Sequence, residues 1–579
     1  MDTQRIIALI VFSFSSLLLW EAWQKHNKPP ALPNVQTAQT APAPGLPSNA
    51  QPPVPGGAGA VPTSTVATPP PSPLAQPSTG AALAAAPTAS TRRIAVRTDL
   101  LDVELDAVGG DIRQVALRKH KAPNDNTKPY VLMQEKVGHY FIAQSGLLGT
   151  GMPNHTSKWA LEGNTADAVR DLGSNEKLDV VFTHAETPGV IISKVFTFKR
   201  GSYVVDVRYD IKNSAEQPIA AKAYFQFLRD ANPPEGENSG SNPFLGVATF
   251  TGPAVYTEAK KFQKVAIPDI EKNKAEHVKE ATDGWLAMVQ HYFVSAWLPQ
   301  GTTSREFFTK RVTDKLFSSG VIVPLAVVNA NASASLSMPL YMGPQEQESL
   351  NKLAPGLGLV VDYGWLTVLA YPMFVVLSYI NNIVGNWGWT IIIFTILLKL
   401  VFFPLNQKSG KSMAHMKTLM PKMEALKARY GDDKMKLNQA MMELYKTEKV
   451  NPLGGCLPIF IQIPFFISLY WVLLGAVELR NTPWILWITD LSTPDPLYIL
   501  PVIMGVSMFV QTKLNPQPAD PIQAKVMTIL PIVFSIMFFF FPSGLVLYWT
   551  MQNILGIAQQ WHINKTFSPA TVKPAAGKR

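Results

Sequence analysis

The sequence predicts a polytopic α-helical membrane protein: six transmembrane helices, a large all-β sandwich domain on the outer side and a helical hairpin on the inner side. Three observations lead there. Hydrophobic residues make up 47% of the 579 and charged residues only 16%, the balance of a membrane protein carrying a soluble part. Apolar runs of spanning length crowd the C-terminal part. Between Arg92 and Tyr341, by contrast, apolar residues alternate with a period of two.

Residues 1–27 begin with Arg5 ahead of an apolar run from Ile6 to Trp20, closed by Glu21, Ala22 and Trp23. Bulky aromatics at that boundary suit an interfacial belt better than a cleavage site, so an uncleaved anchor with a cytoplasmic N-terminus is expected. Residues 28–91 hold 16 of the chain's 48 prolines and, after Lys28, no charge, which makes a flexible tether with no core to bury. Residues 92–345 read as short strands, as in "VIISKVFTFKRGSYVVDVRYDI" with a turn at Lys199-Arg200-Gly201, and a β-sandwich follows. No HExxH, GxSxG or P-loop lies in it, and neither metal nor cofactor is expected. The single cysteine, Cys456, excludes a disulfide framework and reads as a buried small hydrophobe.

Beyond Gly364, apolar spans fall at about 387–405, 455–477, 496–512, 526–541 and 543–560. The loop from Gln407 to Lys449 carries ten Lys or Arg against five acids, while 479–496 carries Arg480 against Asp490 and Asp495. The positive-inside rule places the first loop in the cytoplasm and the second outside. With a cytoplasmic N-terminus this requires 362–386 to be an interfacial amphipathic helix that does not cross. Six crossings then return the short basic tail, 563–579, to the cytoplasm. Within 407–449, Met413, Met416, Met420 and Met423 share a helical face, Gly431, Asp432 and Asp433 break the chain, and a second helix follows. The methionines either zip the two helices together or form an adaptable apolar surface, and the two roles are compatible.

The run "TIIIFTILLKLVFFPL" (390–405) holds one ammonium, Lys399, and no acid. Its arm could snorkel about 9 Å to the interface at 1.5 Å per residue. Its neighbours argue for a wet groove open to the cytoplasm. Thr395 lies one turn earlier, Gln462 interrupts the next span, and Tyr548, Trp549, Gln552 and Asn553 mark the last. Single polar residues of this kind also serve as interhelical glue.

The stretches "FFPLNQKSGKSMAHMKTLMPKMEALKARYGDDK", "EKVNPLGGCLPIFIQIPFFISLYW" and "FPSGLVLYW" resemble signature segments of the YidC/Oxa/Alb family of membrane protein insertases. The anchor and outer domain resemble the Gram-negative form. The resemblance implies a non-catalytic insertase and folding chaperone of the bacterial inner membrane, with a periplasmic sandwich and a five-helix core over 387–562. It implies a positive groove residue at Lys399, where bacterial members usually carry Arg, and substrate-contacting positions at Thr395 and Trp549. It further implies a cytoplasmic hairpin needed for activity. The implied partners are nascent membrane proteins, the Sec translocon (SecYEG and SecDF), the ribosome, the signal recognition particle receptor and membrane lipids, with no DNA. Two rival classes stay open on residues alone. A transporter would show inverted repeats or paired acids, which are missing from the sequence. An anchored carbohydrate-binding or carbohydrate-modifying enzyme would bind sugar through residues 92–341.

Overall fold

The structure is a computed structural model that describes residues 92–123, 125–163, 169–234, 250–431, 433–448, 457–514 and 521–567. The expected anchor, the tether, Asp432, Cys456 and the tail beyond 567 lie outside these, as does the side chain of Met413.

Two antiparallel-rich sheets, of ten and nine strands among the described residues, form the N-terminal domain. At the heart of the first, Lys222–Asp230 lies between His139–Leu148 and Leu316–Pro324. In the second, Val204–Asn213 lies between Val190–Lys199 and Ala332–Pro344. The period of two decides which side chains go inside. Val205, Val207, Tyr209 and Ile211 are all buried, whereas Asp206 and Asp210 accept hydrogen bonds from Ser337 (2.9 Å) and Ser335 (2.7 Å) on the outer face. Phe225, Phe227 and Trp297 fill the core, with the Phe227 and Trp297 rings stacked at 5.7 Å. At Gly109 the backbone has φ +77°, and a Cβ there would stand 2.4 Å from the His155 carbonyl oxygen, so only glycine fits the turn.

Among the described residues a short helix, Gln347–Leu353, and then eight longer ones follow: α1 (Thr367–Val384), α2 (Trp387–Val401), α3 (Phe403–Tyr430), α4 (Lys434–Thr447), α5 (Leu457–Gly475), α6 (Ile499–Leu514), α7 (Pro521–Phe538) and α8 (Ser543–Phe567). Asn386 caps α2 by accepting from the Gly388 and Trp389 amides. Pro404 lies in the first turn of α3, where its missing N–H costs nothing, and α3 leaves α2 at 61°. Helix α8 packs against α2 and α6, and α1 against α2 and α5.

The amphipathic expectation for α1 needs correction. It buries Ala370, Met373, Phe374, Leu377 and Ile380, but its outward face is also apolar, with Val368 82%, Tyr379 68% and Ile383 72% exposed. A helix apolar all round suits lipid on its free side. Among the described residues α1 is the one unbroken helix long and apolar enough to cross a bilayer, and α2 with the start of α3 makes a bent second candidate. Apolar stretches within α5, α6 and α7 are shorter, at Ile461–Gly475, Ile499–Leu514 and Thr528–Phe538.

The two parts meet where the chain leaves α5. Val477 is buried in the sandwich core. The Arg480 guanidinium lies over the rings of Tyr130 (5.2 Å), Phe293 (5.3 Å) and Tyr292 (5.7 Å) and donates to the Lys121 carbonyl at 2.7 Å. A planar cation between aromatic faces is held by the ring quadrupoles as well as by the hydrogen bond. His291 bonds the Leu474 carbonyl at 3.1 Å, and Lys264 pairs with Asp362.

Desolvation, with Glu346 nearby, raises the carboxyl of half-buried Glu478 at this joint from 4.5 to about 7. The folded protein therefore holds this proton more tightly than the unfolded chain, and stability falls as pH rises from 4.5 to about 7. Glu478→Gln should raise the thermal midpoint in detergent above the parent's at pH 8. That advantage should shrink below pH 7 and vanish near pH 4.5, which paired melts across the range would read directly.

Candidate functional site

Helix α2 places Lys399 half-buried, against α8. A Cβ added at Gly556 of α8 would lie 3.6 Å from Lys399 Nζ and 3.0 Å from Gln511 Nε2 of α6. The ammonium therefore sits over a gap in the α8 side-chain surface, beside a carboxamide. Among the described residues no carboxylate lies within salt-bridge distance of it.

Four further carboxamides, on three of the helices, hold unmet atoms. Gln462 Nε2 of α5, Gln552 Oε1 and Gln559 Nε2 of α8, and Asn406 Nδ2 of α3 are buried with no hydrogen-bond partner among the described residues. Each such atom costs about 1–3 kcal/mol unless something else meets it. Gln552, Gly556 and Gln559 follow at intervals of four and three, so they line one stripe of α8. Tyr548 begins that stripe, buried, with its hydroxyl in reach of the Gln552 side chain.

The remaining predicted residues go elsewhere. Thr395 is fully buried and its hydroxyl donates to the Ile391 carbonyl at 2.6 Å, so it stabilises its own helix and does not open to a groove. Trp549 packs among rings of α5 and α7, edge-on to Phe466 at 4.5 Å and 5.2 Å from Phe538. Asn553 donates to Ser507 Oγ of α6 at 3.0 Å, which is interhelical glue. Met416 and Met423 pack with Leu419, Met441, Leu444 and Tyr445 between α3 and α4, Met420 is half-buried, and Met435 is 77% exposed. Gly431 follows the end of α3, and Asp433 caps α4 by accepting from the Lys436 amide at 3.1 Å. Sequence reading missed Asn406, Gln511, Gly556 and Gln559. The helical spacing of 552, 556 and 559 was the available signal.

The β-domain holds a second polar cluster that sequence reading also missed. Lys194 is fully buried and donates to the Gly109 and Ser145 carbonyls at 2.9 and 3.3 Å. Beside it Asp111 accepts from Gln144 at 2.8 Å and lies 3.4 Å from Arg113. Desolvation lowers Lys194 to about 8 and raises Asp111. The cluster is enclosed between the sheets, where it ties strands together and meets no solvent.

The family model described as YidC periplasmic domain matches residues 93–376, and that described as 60Kd inner membrane protein matches 379–570. A membrane protein insertase YidC of Aromatoleum aromaticum is 53% identical over 565 residues, 98% of each chain. The chain belongs to the YidC family of membrane protein insertases. A YidC relative from Dechloromonas aromatica is 49% identical over 98% of this chain and 97% of its own. Among solved structures, the active YidC insertase with its first transmembrane domain resolved matches at TM-score 0.40 and 19% identity, over 82% of this chain and 93% of that one.

Asn553→Leu should lower stability by about 1 kcal/mol through loss of the α6–α8 hydrogen bond. Adding Ser507→Ala should cost little more, because the pair acts as one unit. Melting of the detergent-solubilised single and double variants checks this.

Proposed function

We propose that this chain inserts nascent membrane proteins into the bacterial inner membrane through a hydrophilic groove on the cytoplasmic side, centred on Lys399. The observation that carries the reading is the ammonium over Gly556 beside the Gln511 carboxamide, in a bundle whose α3, α5 and α8 hold further buried amide atoms without partners among the described residues. Lys399 attracts the short, often acidic, outer tail of an arriving segment and draws it partway into the bilayer. The segment's apolar helix then moves along α5 and α8 into lipid. Burial of apolar surface, at roughly 25 cal/mol per Å², drives the step without a nucleotide.

The α3–α4 pair stands in the cytoplasm and collects substrates at the groove mouth, the β-domain stands in the periplasm, and both termini are cytoplasmic. The positive charge of the 407–449 loop supports that orientation. The groove works alone or beside the Sec translocon, SecYEG with SecDF. The ribosome and the signal recognition particle receptor deliver chains to it, and the surrounding lipids receive them. The role is that of a non-catalytic insertase and chaperone, and it calls on no cofactor. Under this reading Trp549 and Tyr548 form the aromatic wall beside the groove, and Thr395 keeps α2 regular behind Lys399.

Lys399→Ala should slow insertion of a short acidic-tailed substrate into vesicles about tenfold, which corresponds to roughly 1.4 kcal/mol of lost attraction. Lys399→Arg should retain most of the rate and Lys399→Glu should fall below Ala. Wild-type insertion by the Ala variant would remove the charge from the mechanism.

A further inference from the structure

We propose that Asn406 and Gln559 form a second binding station between Lys399 and the groove mouth, where their amide N–H groups receive backbone carbonyls of an extended incoming polypeptide. The inference rests on the insertion reading above and adds to it the part of the substrate that is recognised before the charged step.

The two side chains lie on helices α3 and α8, which pack together. One turn past each of them α3 and α8 make a close approach, because a Cβ at Gly410 would be 2.5 Å from Ile563 Cδ1. One turn before Gln559 is Gly556, the gap over which Lys399 sits. The station is therefore bounded by a tight helix contact on one side and by the ammonium on the other.

Both nitrogens, Asn406 Nδ2 and Gln559 Nε2, are buried and without partners among the described residues. A carboxamide nitrogen carries two donors, and a buried donor left unmet is costly. Donors of this kind call for acceptors. The acceptor every substrate shares is the peptide carbonyl, and a segment entering hydrocarbon before it has coiled into a helix has carbonyls to satisfy. Gln552 to Gln559 spans seven residues of α8, about 10 Å at 1.5 Å per residue, the length of about three residues of extended chain. Gly556, in the middle, is the point that Lys399 and Gln511 face.

Neutral amides do not sense charge, so this station and Lys399 should separate by substrate. Asn406→Leu with Gln559→Leu keeps side-chain size and removes the donors. It should slow insertion of acidic-tailed and neutral-tailed substrates alike, about fivefold, the effect of roughly one hydrogen bond. Lys399→Ala should discriminate between the two tails.

The decisive experiment uses the full chain with Cys456→Ser and single cysteines introduced as Gln559→Cys, Gln552→Cys or, on the exposed face of α7, Ile532→Cys. Ribosome-stalled nascent chains bearing one cysteine are presented at increasing lengths and disulfide crosslinks are scored. Links at 559 with shorter chains than at 552, and none at 532, are expected. Links at 552 with none at 559 would overturn the station and leave the Lys399 groove standing. Links at neither would remove the groove and the station together. Equal insertion rates for the double Leu variant and the parent on both tails would also overturn it.

Discussion

An ammonium on an apolar helix has to be met by water, by acceptors or by an opposite charge, and the helices around Lys399 are arranged under that demand. No carboxylate answers it among the described residues. Instead α8 withdraws its side chain at Gly556 and α6 brings up Gln511. A carboxylate at this point would neutralise the site and give it a fixed partner. Carboxamides keep it polar and leave the charge unspent. Helices α3, α5 and α8 also hold buried amide atoms without partners among the described residues, while interhelical bonds such as Asn553 to Ser507 hold the bundle together.

The β-domain bears on the same bundle through the segment after α5 as well as through contacts such as Lys264 to Asp362. Val477 enters the sandwich core and Arg480 lies between three rings, so the end of α5 is fixed at both an apolar and a cationic point. Helix α5 also carries Gln462 and Phe466 towards the candidate site. The β-domain thereby bears on the orientation of a helix whose other end carries Gln462.

Much of the fold was legible because its signals are local. Alternation at Val205, Val207, Tyr209 and Ile211 forecasts a strand with one buried face, and each expected apolar span after 387 corresponds to a helix. The site was legible in part. Lys399 stands out by charge alone, and Gln462 and Gln552 by polarity within apolar runs. Thr395 bonds its own helix and Asn553 a neighbour, and in sequence a hydroxyl or amide within a span looks the same whether it does either or faces a groove. Gly556 escaped because its importance lies in what faces it, a fact of tertiary packing. Arg480 was read only as a topological charge, since its ring partners at 130, 292 and 293 are remote in sequence.

The bend after α2 has a mechanical meaning. Phe402 donates back to the Leu398 carbonyl and Asn406 to the Phe402 carbonyl, but Pro404 has no hydrogen to offer Leu400, so the ladder is interrupted at the 61° corner. A continuous rod would pass every push on the paired helices α3 and α4 straight to the lysine. A jointed one turns that arm off the axis of the stem bearing the ammonium, and the Gly410 contact with α8 braces the turn.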